Sequence, residues 1–298
     1  MKRLQWFAEL AAAVLVTLPI AALPLRAALW LGELLGSLLY IFWKSRREIA
    51  LDNLREAMSR NAVSIGSSTP EEIIKRNFRN LGRSFAEVVK IYYGLGSRII
   101  RGIEIRGIEN ITRALERGKG VIIITGHCGN WELLCLPLVG NLPRINAVMR
   151  RINNPFFNRI VVKVRERSGQ AMVYKEGAIR KFFSVLKRNE IVGILMDQSV
   201  VGAEGIKADF LGRQDYILKV PALIARKTGA AVVPAFIRRT GSGHSIDIGD
   251  AMEPDGSTDE AEAVTRDTLK FSGCIEEYIR QNPTEWLWLH RRWKREKL

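Results

Sequence analysis

Apolar residues run almost unbroken through the first 43 positions and then settle into two repeating patterns. Leu10 to Leu25 carries no charge, is bracketed by Glu9 and Arg26 and is interrupted by Pro19 and Pro24; Ala27 to Trp43 carries Glu33 alone. Each stretch falls somewhat short of the ~20 residues that a perpendicular membrane span needs. From Glu48 to Leu95 the spacing is helical, with a polar loop near Ser64 to Pro70. Thr69-Pro70-Glu71-Glu72 starts a helix, with proline at the first helical position and acids in the first turn. Phe78, Leu81, Phe85, Val88 and Val89 form its apolar face, set against Asn77, Arg79, Arg83, Glu87 and Lys90, and Gly94 to Gly96 ends it. From Ile103 onward, short β-branched runs alternate with helical stretches, the pattern of an α/β sheet. The spacing predicts strands over Ile103–Arg106, Val121–Thr125, Ile145–Met149, Ile191–Met196, Ala231–Ile237 and His244–Ile248. Helices are predicted near Asn130–Leu138, Pro155–Ser168, Gly177–Arg188, Lys219–Thr228 and Asp259–Gln281. No internal repeat or low-complexity segment interrupts them.

Residues 1–47 therefore read as an apolar helical segment and residues 48–298 as an α/β domain, with a helical lead-in over 48–96 and the sheet over 97–298. Lys2 and Arg3 ahead of an apolar run resemble a signal peptide, but the apolar character continues well past any cleavage point. Basic residues flank both ends (Lys2, Arg3, then Lys44, Arg46, Arg47), which keeps both flanks on the cytosolic side. A helical hairpin, or a helix lying in the interface, fits better than a single crossing. Trp6, Phe7, Trp30, Tyr40, Phe42 and Trp43 suit the headgroup boundary. A buried pair of core helices competes with this reading, and a membrane anchor is expected.

Charge adds a partner. The chain has 46 Lys and Arg against 31 Asp and Glu, a net charge of +15, which implies a polyanion: nucleic acid, or an anionic membrane surface with phosphorylated lipids. A hydrophobic content of 47% is ordinary for a globular chain and excludes a polytopic membrane protein. Cys128, Cys135 and Cys274 are odd in number and lack a C-x2-C pair, which argues against a disulfide scaffold or zinc site and for a reducing compartment.

Candidate chemistry concentrates at Gly120-Val-Ile-Ile-Ile-Thr-Gly-His127-Cys-Gly-Asn-Trp-Glu132. A buried strand ends at Thr125-Gly126 and delivers His127 to the sheet edge where open α/β folds place their ligand crevices. On a straight helix, positions five apart point ~140° away from each other. His127 and Glu132 meet only if the histidine sits in the turn and the glutamate one turn into a helix starting near Asn130. A histidine so held is a general base: the carboxylate fixes its tautomer and the free nitrogen takes a proton from a hydroxyl. The plainer reading is a capping histidine and a first-turn acid favoured by the helix dipole. Two more strand ends carry polar groups, Arg150-Arg151 after Met149 and Asp197-Gln198 after Met196, either a shared site or a structural Arg–Asp pair. Cys128 next to His127 reads as a small buried cysteine, since side chains of adjacent turn residues rarely meet. His244 and His290 read as packing residues.

These residues carry a family resemblance. His127-x4-Glu132 after an apolar strand resembles the H-x4-D/E box of the glycerolipid acyltransferase superfamily, and the details point to its lipid A biosynthesis branch, the lauroyl and myristoyl transferases. Gly126-His-x-Gly-Asn-Trp-Glu132, Arg150 ahead of Asn154-Pro155, Asp197-Gln198, Phe210-Leu-Gly212 and Thr228-Gly-Ala-Ala-Val-Val-Pro234 all match it. So does the tail Trp286-Leu-Trp-Leu-His-Arg-Arg-Trp-Lys294, and the resemblance spans nearly the whole chain. It implies a mixed central sheet flanked by helices, as in glycerol-3-phosphate acyltransferases, behind an apolar helical anchor. It also implies transfer of a fatty acyl chain from a thioester of acyl carrier protein or coenzyme A to a hydroxyl of a phosphorylated glycolipid, at the cytoplasmic face of the inner membrane. By the same resemblance His127 is the base and Glu132 its orienting, charge-stabilising partner. Arg150 holds an anionic substrate group or the tetrahedral intermediate. Asp197 orients Arg150 or a sugar hydroxyl, Lys175 fills a position often basic in the family, and Asn130, inside the matched stretch, joins the substrate-binding residues.

A thioester is already activated, so no metal or redox cofactor is expected, and the sequence offers no ligand cluster for one. Seven basic residues between Arg144 and Arg167, and Arg291, Arg292, Lys294, Arg295 and Lys297 in the tail, suit an acidic carrier and an anionic leaflet; singly, each reads as part of a solvated face. A phospholipid or phosphatidylinositol-mannoside acyltransferase with the same dyad is the near alternative. A non-catalytic basic protein that binds membranes or nucleic acid is the distant one, although no nucleic-acid recognition motif is present.

Overall fold

The computed structural model describes residues 2–140, 142–241 and 243–293. Four long helices come first: α1 (Lys2–Ala22), α2 (Leu25–Phe42), α3 (Lys44–Ser59) and α4 (Pro70–Tyr92), followed by the short α5 (Ser97–Arg101). Thr69 caps α4 in a reciprocal capping box with Glu72, as the Thr-Pro-Glu-Glu run predicts. Then come β1 (Ile103–Arg106), α6 (Ile108–Leu115), β2 (Val121–Thr125), β3 (Ile145–Met149), α7 (Pro155–Arg167) and β4 (Gln170–Tyr174). The chain continues with α8 (Ala178–Lys187), β5 (Ile191–Leu195), β6 (Gly205–Phe210), β7 (Arg213–Leu218), α9 (Val220–Thr228), β8 (Ala231–Arg239), β9 (His244–Ile248) and α10 (Glu260–Gln281).

Seven strands form one mixed sheet in the order β1-β9-β8-β2-β5-β3-β4, and β6 and β7 pair separately as a hairpin. β9 runs antiparallel to β8, and the remaining pairings in the large sheet are parallel. Alternation along the central strand sorts its side chains: Ile122 and Ile124 enter the core under α8, α9 and α10, while Val121 and Ile123 enter the core on the opposite face. The predicted strands are all present. Three were not legible: β4, whose Gln-Ala-Met-Val-Tyr run is short and mixed, and the β6–β7 hairpin, which alternates polar and apolar residues outside the main sheet.

The two apolar stretches form helices of 21 and 18 residues, long and apolar enough to cross a membrane, that bury little of their surface. Leu4, Phe7, Leu15 and Val16 of α1 and Trp30, Ile41 and Phe42 of α2 face outward, a surface that points to a membrane location. α2 meets α4 where Gly32 crosses Gly82: a Cβ on either glycine would strike the other's main-chain carbonyl. Lys90 of α4 is buried and donates to the carbonyls of Ala21 and Leu23, which fastens the end of α1.

Candidate active site

β2 and β5 are parallel neighbours with Thr125 opposite Leu195. The chain leaving each strand therefore places His127 and Asp197, both two residues further on, side by side at the C-terminal edge of the sheet. His127 Nδ1 lies 2.8 Å from Asp197 Oδ1. Asp197 is 2% exposed, and its Oδ2 accepts from Trp286 Nε1 at 2.8 Å. An ionised carboxylate only accepts hydrogen bonds, so the neutral imidazole carries its proton on Nδ1 and keeps a lone pair on Nε2. Burial of the ring works against its charged form. The charge and hydrogen bond of Asp197, with a smaller contribution from the Glu132 charge, outweigh it and raise the His127 pKa above 6.5. Burial likewise opposes ionisation of Asp197, but His127 and the Trp286 donor hold its carboxyl down to about 2.

The ring lines a cavity of about 330 Å³ between the ends of β2, β3 and β5 and the inner side of α7. Ile123, Leu134, Val148 and Val161 give its walls an apolar character, and Glu132, Arg150 and Arg165 supply charge. Trp131 packs edge-on to the imidazole at 5.1 Å, and the Gln198 amide lies 3.3 and 3.4 Å from the two ring nitrogens. Apolar walls with a few convergent polar groups around a polarised histidine are suited to a hydrocarbon chain attached to a reacting carbonyl.

Several sequence-based placements change. The chain after Asn130 forms two 3-10 turns, Trp131–Leu133 and Leu136–Leu138, in place of the expected helix. Gly129, at φ +56°, packs so closely on the Ile237 carbonyl that a Cβ would not fit, and its N–H donates to Glu285. That pinned path aims Glu132 away from the imidazole: its Oε2 accepts from Arg165 Nη2 at 2.6 Å, and Asp197 occupies His127 Nδ1. Glu132 acts on His127 through its charge, without orienting the ring. Asp197, expected to serve Arg150 or a sugar, is committed to His127 and Trp286. Arg150 is exposed on the cavity wall.

Asn130 is buried and donates to Glu87 Oε2 at 2.8 Å, outside the cavity lining. Glu87 also receives Arg239 Nη1 at 2.7 Å and His244 Nε2 at 3.0 Å. Burial opposes its charge, yet His244 and Arg239 hold its carboxyl near 2, and the cluster ties the turn that carries His127 and Asn130 to α4, β8 and β9. Lys175 stands half-exposed in an ion pair with Glu204, outside the cavity lining. Cys128 is 1% exposed, and burial, with the Asp197 and Glu285 charges, pushes its thiol pKa well up, so it stays protonated. Arg165 and Arg292 are not solvated, as their neighbours' pattern would suggest: Arg165 faces Glu132, and Arg292 is fully buried with its guanidinium 3.8 Å from the Phe210 ring centre. Lys294, Arg295 and Lys297 lie outside the described residues. The sequence did not single out Trp286 or Arg165 beside His127, and the tryptophan-rich tail motif is the signal that could have found the first.

A family model described as bacterial lipid A biosynthesis acyltransferase matches residues 3–295. A lipid A biosynthesis palmitoleoyltransferase of Escherichia coli (strain K12) is 27% identical, covering 91% of this chain and 86% of that protein. A lipid A biosynthesis lauroyltransferase of the same strain is 24% identical over 92% of this chain and 88% of that protein. A phosphatidylinositol mannoside acyltransferase of Mycolicibacterium smegmatis (strain ATCC 700084 / mc(2)155) is 24% identical over 81% and 79%. A match of that extent sets aside a purely binding protein and accounts for an apolar cavity edged by a polarised histidine: the chain belongs to the bacterial lipid A biosynthesis acyltransferase family and is an enzyme that transfers acyl groups to a lipid acceptor.

Proposed function

We propose that the enzyme transfers a fatty acyl chain from an acyl thioester, acyl carrier protein being the favoured carrier over coenzyme A, to a hydroxyl of a phosphorylated lipid A precursor. His127 is the general base. Its Nε2 takes the proton of the acceptor hydroxyl as the oxygen attacks the thioester carbonyl; the tetrahedral intermediate then expels the thiolate, and the imidazolium returns the proton to sulfur. Asp197 holds the tautomer and balances the imidazolium charge, and Glu132 adds to that balance from across the cavity. Arg150 meets the oxyanion or an anionic group of the acceptor. No covalent acyl-enzyme is formed, consistent with the protonated, buried Cys128 thiol, and a thioester needs no metal or redox cofactor to react. The carrying observation is the 2.8 Å contact of His127 Nδ1 with Asp197 at the wall of an apolar cavity.

The apolar helices α1 and α2 seat the enzyme on the cytoplasmic face of the inner membrane, with the basic residues at their ends toward the anionic leaflet. The mycobacterial relative supports a second acceptor, a phosphatidylinositol mannoside, for the same geometry. An assay of detergent-solubilised protein with acyl carrier protein and coenzyme A thioesters, offered a lipid A precursor, a phosphatidylinositol mannoside and a lysophospholipid, separates these. Transfer to the lipid A precursor, lost in His127→Ala, is expected. Transfer to another acceptor alone moves the acceptor assignment, and transfer undiminished in His127→Ala refutes the base.

A further inference from the structure

The tail from Thr284 to Trp293 touches both members of the catalytic pair. Leu287 N donates to the His127 carbonyl at 3.1 Å, Gly129 N donates to the Glu285 carbonyl at 2.9 Å, and Cys128 bridges to Trp286. The tail is held from the other side by two buried asparagines. Asn77 Nδ2 of α4 donates to the carbonyls of Thr284 and Trp286 at 2.9 and 2.7 Å, and Asn53 Nδ2 of α3 donates to those of Trp288 and His290 at 2.8 and 3.0 Å. Arg292 Nη1 donates to the main-chain carbonyl of Asp197 at 2.5 Å. Trp286 is 2% exposed, and its ring stands edge-on to Trp288 at 4.7 Å.

We propose that Trp286 is a positioning residue for the acyl transfer: its indole N–H holds Oδ2 of Asp197 so that Oδ1 faces His127 Nδ1 and the ring keeps its Nε2 lone pair toward the cavity. The inference rests on His127 as the base. A buried carboxylate that lost one donor would be free to rotate about its χ2, and that torsion has broad wells. The indole prevents this for a reason specific to its chemistry: it can only donate, so the oxygen it faces must be an acceptor and the other oxygen is left for the imidazole. The same short segment sets the histidine through Leu287 and the carboxylate through Trp286, so the distance between them does not depend on the β2–β5 pairing alone.

The test reads the histidine directly. The chain has three histidines and seven tryptophans, few enough to assign by single substitutions in NMR spectra of the full-length protein in detergent. Trp286→Phe removes the donor and keeps an aromatic ring. Freed of a positive dipole, Asp197 should attract the imidazolium more strongly and raise the His127 pKa, by about half a unit or more. The acid limb of kcat should move to higher pH by the same amount, and kcat should fall on the order of tenfold or more at unchanged KM, as loss of an outer-shell partner does elsewhere. Trp288→Phe, which loses an indole bond to the Pro283 carbonyl, should leave the His127 titration in place. A His127 titration in Trp286→Phe that superimposes on the wild type overturns the proposal whatever the activity. In the wild type, which avoids any folding defect, the Trp286 indole N–H resonance should shift with the His127 pKa, and an indole that ignores that titration overturns the proposal too. His127→Ala that retains activity would refute the base while leaving this linkage measurable.

Discussion

Replacing Asp197 with asparagine keeps the shape of the side chain and removes one acceptor. In the wild type two N–H groups point at the carboxylate, His127 Nδ1 at Oδ1 and Trp286 Nε1 at Oδ2, both at 2.8 Å. Asparagine offers one oxygen and one NH2, so only one of the two donors keeps an acceptor. The indole cannot change its role, whereas the imidazole can: it keeps its hydrogen bond by accepting at Nδ1, which puts the ring proton on Nε2 and leaves no lone pair for the acceptor hydroxyl. The corresponding change in a serine protease triad costs about 10⁴ in kcat; with a hydroxyl-activating base at stake here, a loss of about 10³ to 10⁴ is expected, or roughly 4–5.5 kcal/mol at 1.36 kcal/mol per tenfold. With the Asp197 charge gone, burial is opposed only by the smaller Glu132 charge, so the His127 pKa should fall. Single-turnover transfer from a radiolabelled acyl thioester measures the rate, and ¹⁵N NMR of the imidazole reads the tautomer. Glu132→Gln is the contrast: it releases Arg165 into the cavity and lowers activity, but it should leave the Nδ1–H tautomer intact and move the His127 pKa much less. An Asp197→Asn enzyme within tenfold of the wild type, or one whose imidazole keeps its proton on Nδ1, would refute the assignment of Asp197 as the partner.

Other consequences are accessible to simpler assays. Because Cys128 is a buried, protonated thiol, Cys128→Ser should retain activity within a few fold; a folded but inactive variant would point to covalent chemistry. Glu87→Gln leaves Arg239 buried without its counter-charge and should cost about 3–5 kcal/mol in denaturant unfolding. Glu87 titrates lower in the folded state than its ordinary 4.5, so its contribution is present above that pH and is lost as pH falls toward 2. Wild type and Glu87→Gln should therefore differ in Tm at neutral pH and converge in acid. Gly82→Val places a side chain against the Gly32 carbonyl and should destabilise the α2–α4 contact by about 1–3 kcal/mol, visible as a lowered Tm with the cavity residues untouched.

What could be read in the sequence was local. The amphipathic face of α4 with its Thr-Pro-Glu-Glu cap, the β-branched run of β2 ending in Thr125-Gly126, and the apolar amino-terminal stretches all follow from side-chain period and turn chemistry within a few residues. The motifs around His127 also identified the family. β4 was missed because five mixed residues carry no period. The helix expected after Asn130 was misread because its competitor, the Glu285–Leu287 segment that pins Gly129 and His127, lies more than 150 positions away.

The partner of His127 divides the two kinds of information most clearly. The sequence by itself determined that His127, Arg150 and Asp197 sit just past strand ends, since that depends on where apolar runs stop. Which carboxylate reaches the imidazole was decided by the parallel pairing of β2 with β5, the 3-10 turn that swings Glu132 onto Arg165, and the return of Trp286 beneath Asp197. A five-residue spacing fixes a separation along the chain but not a direction in space, and only the contacts that close the tertiary structure set where each carboxylate points.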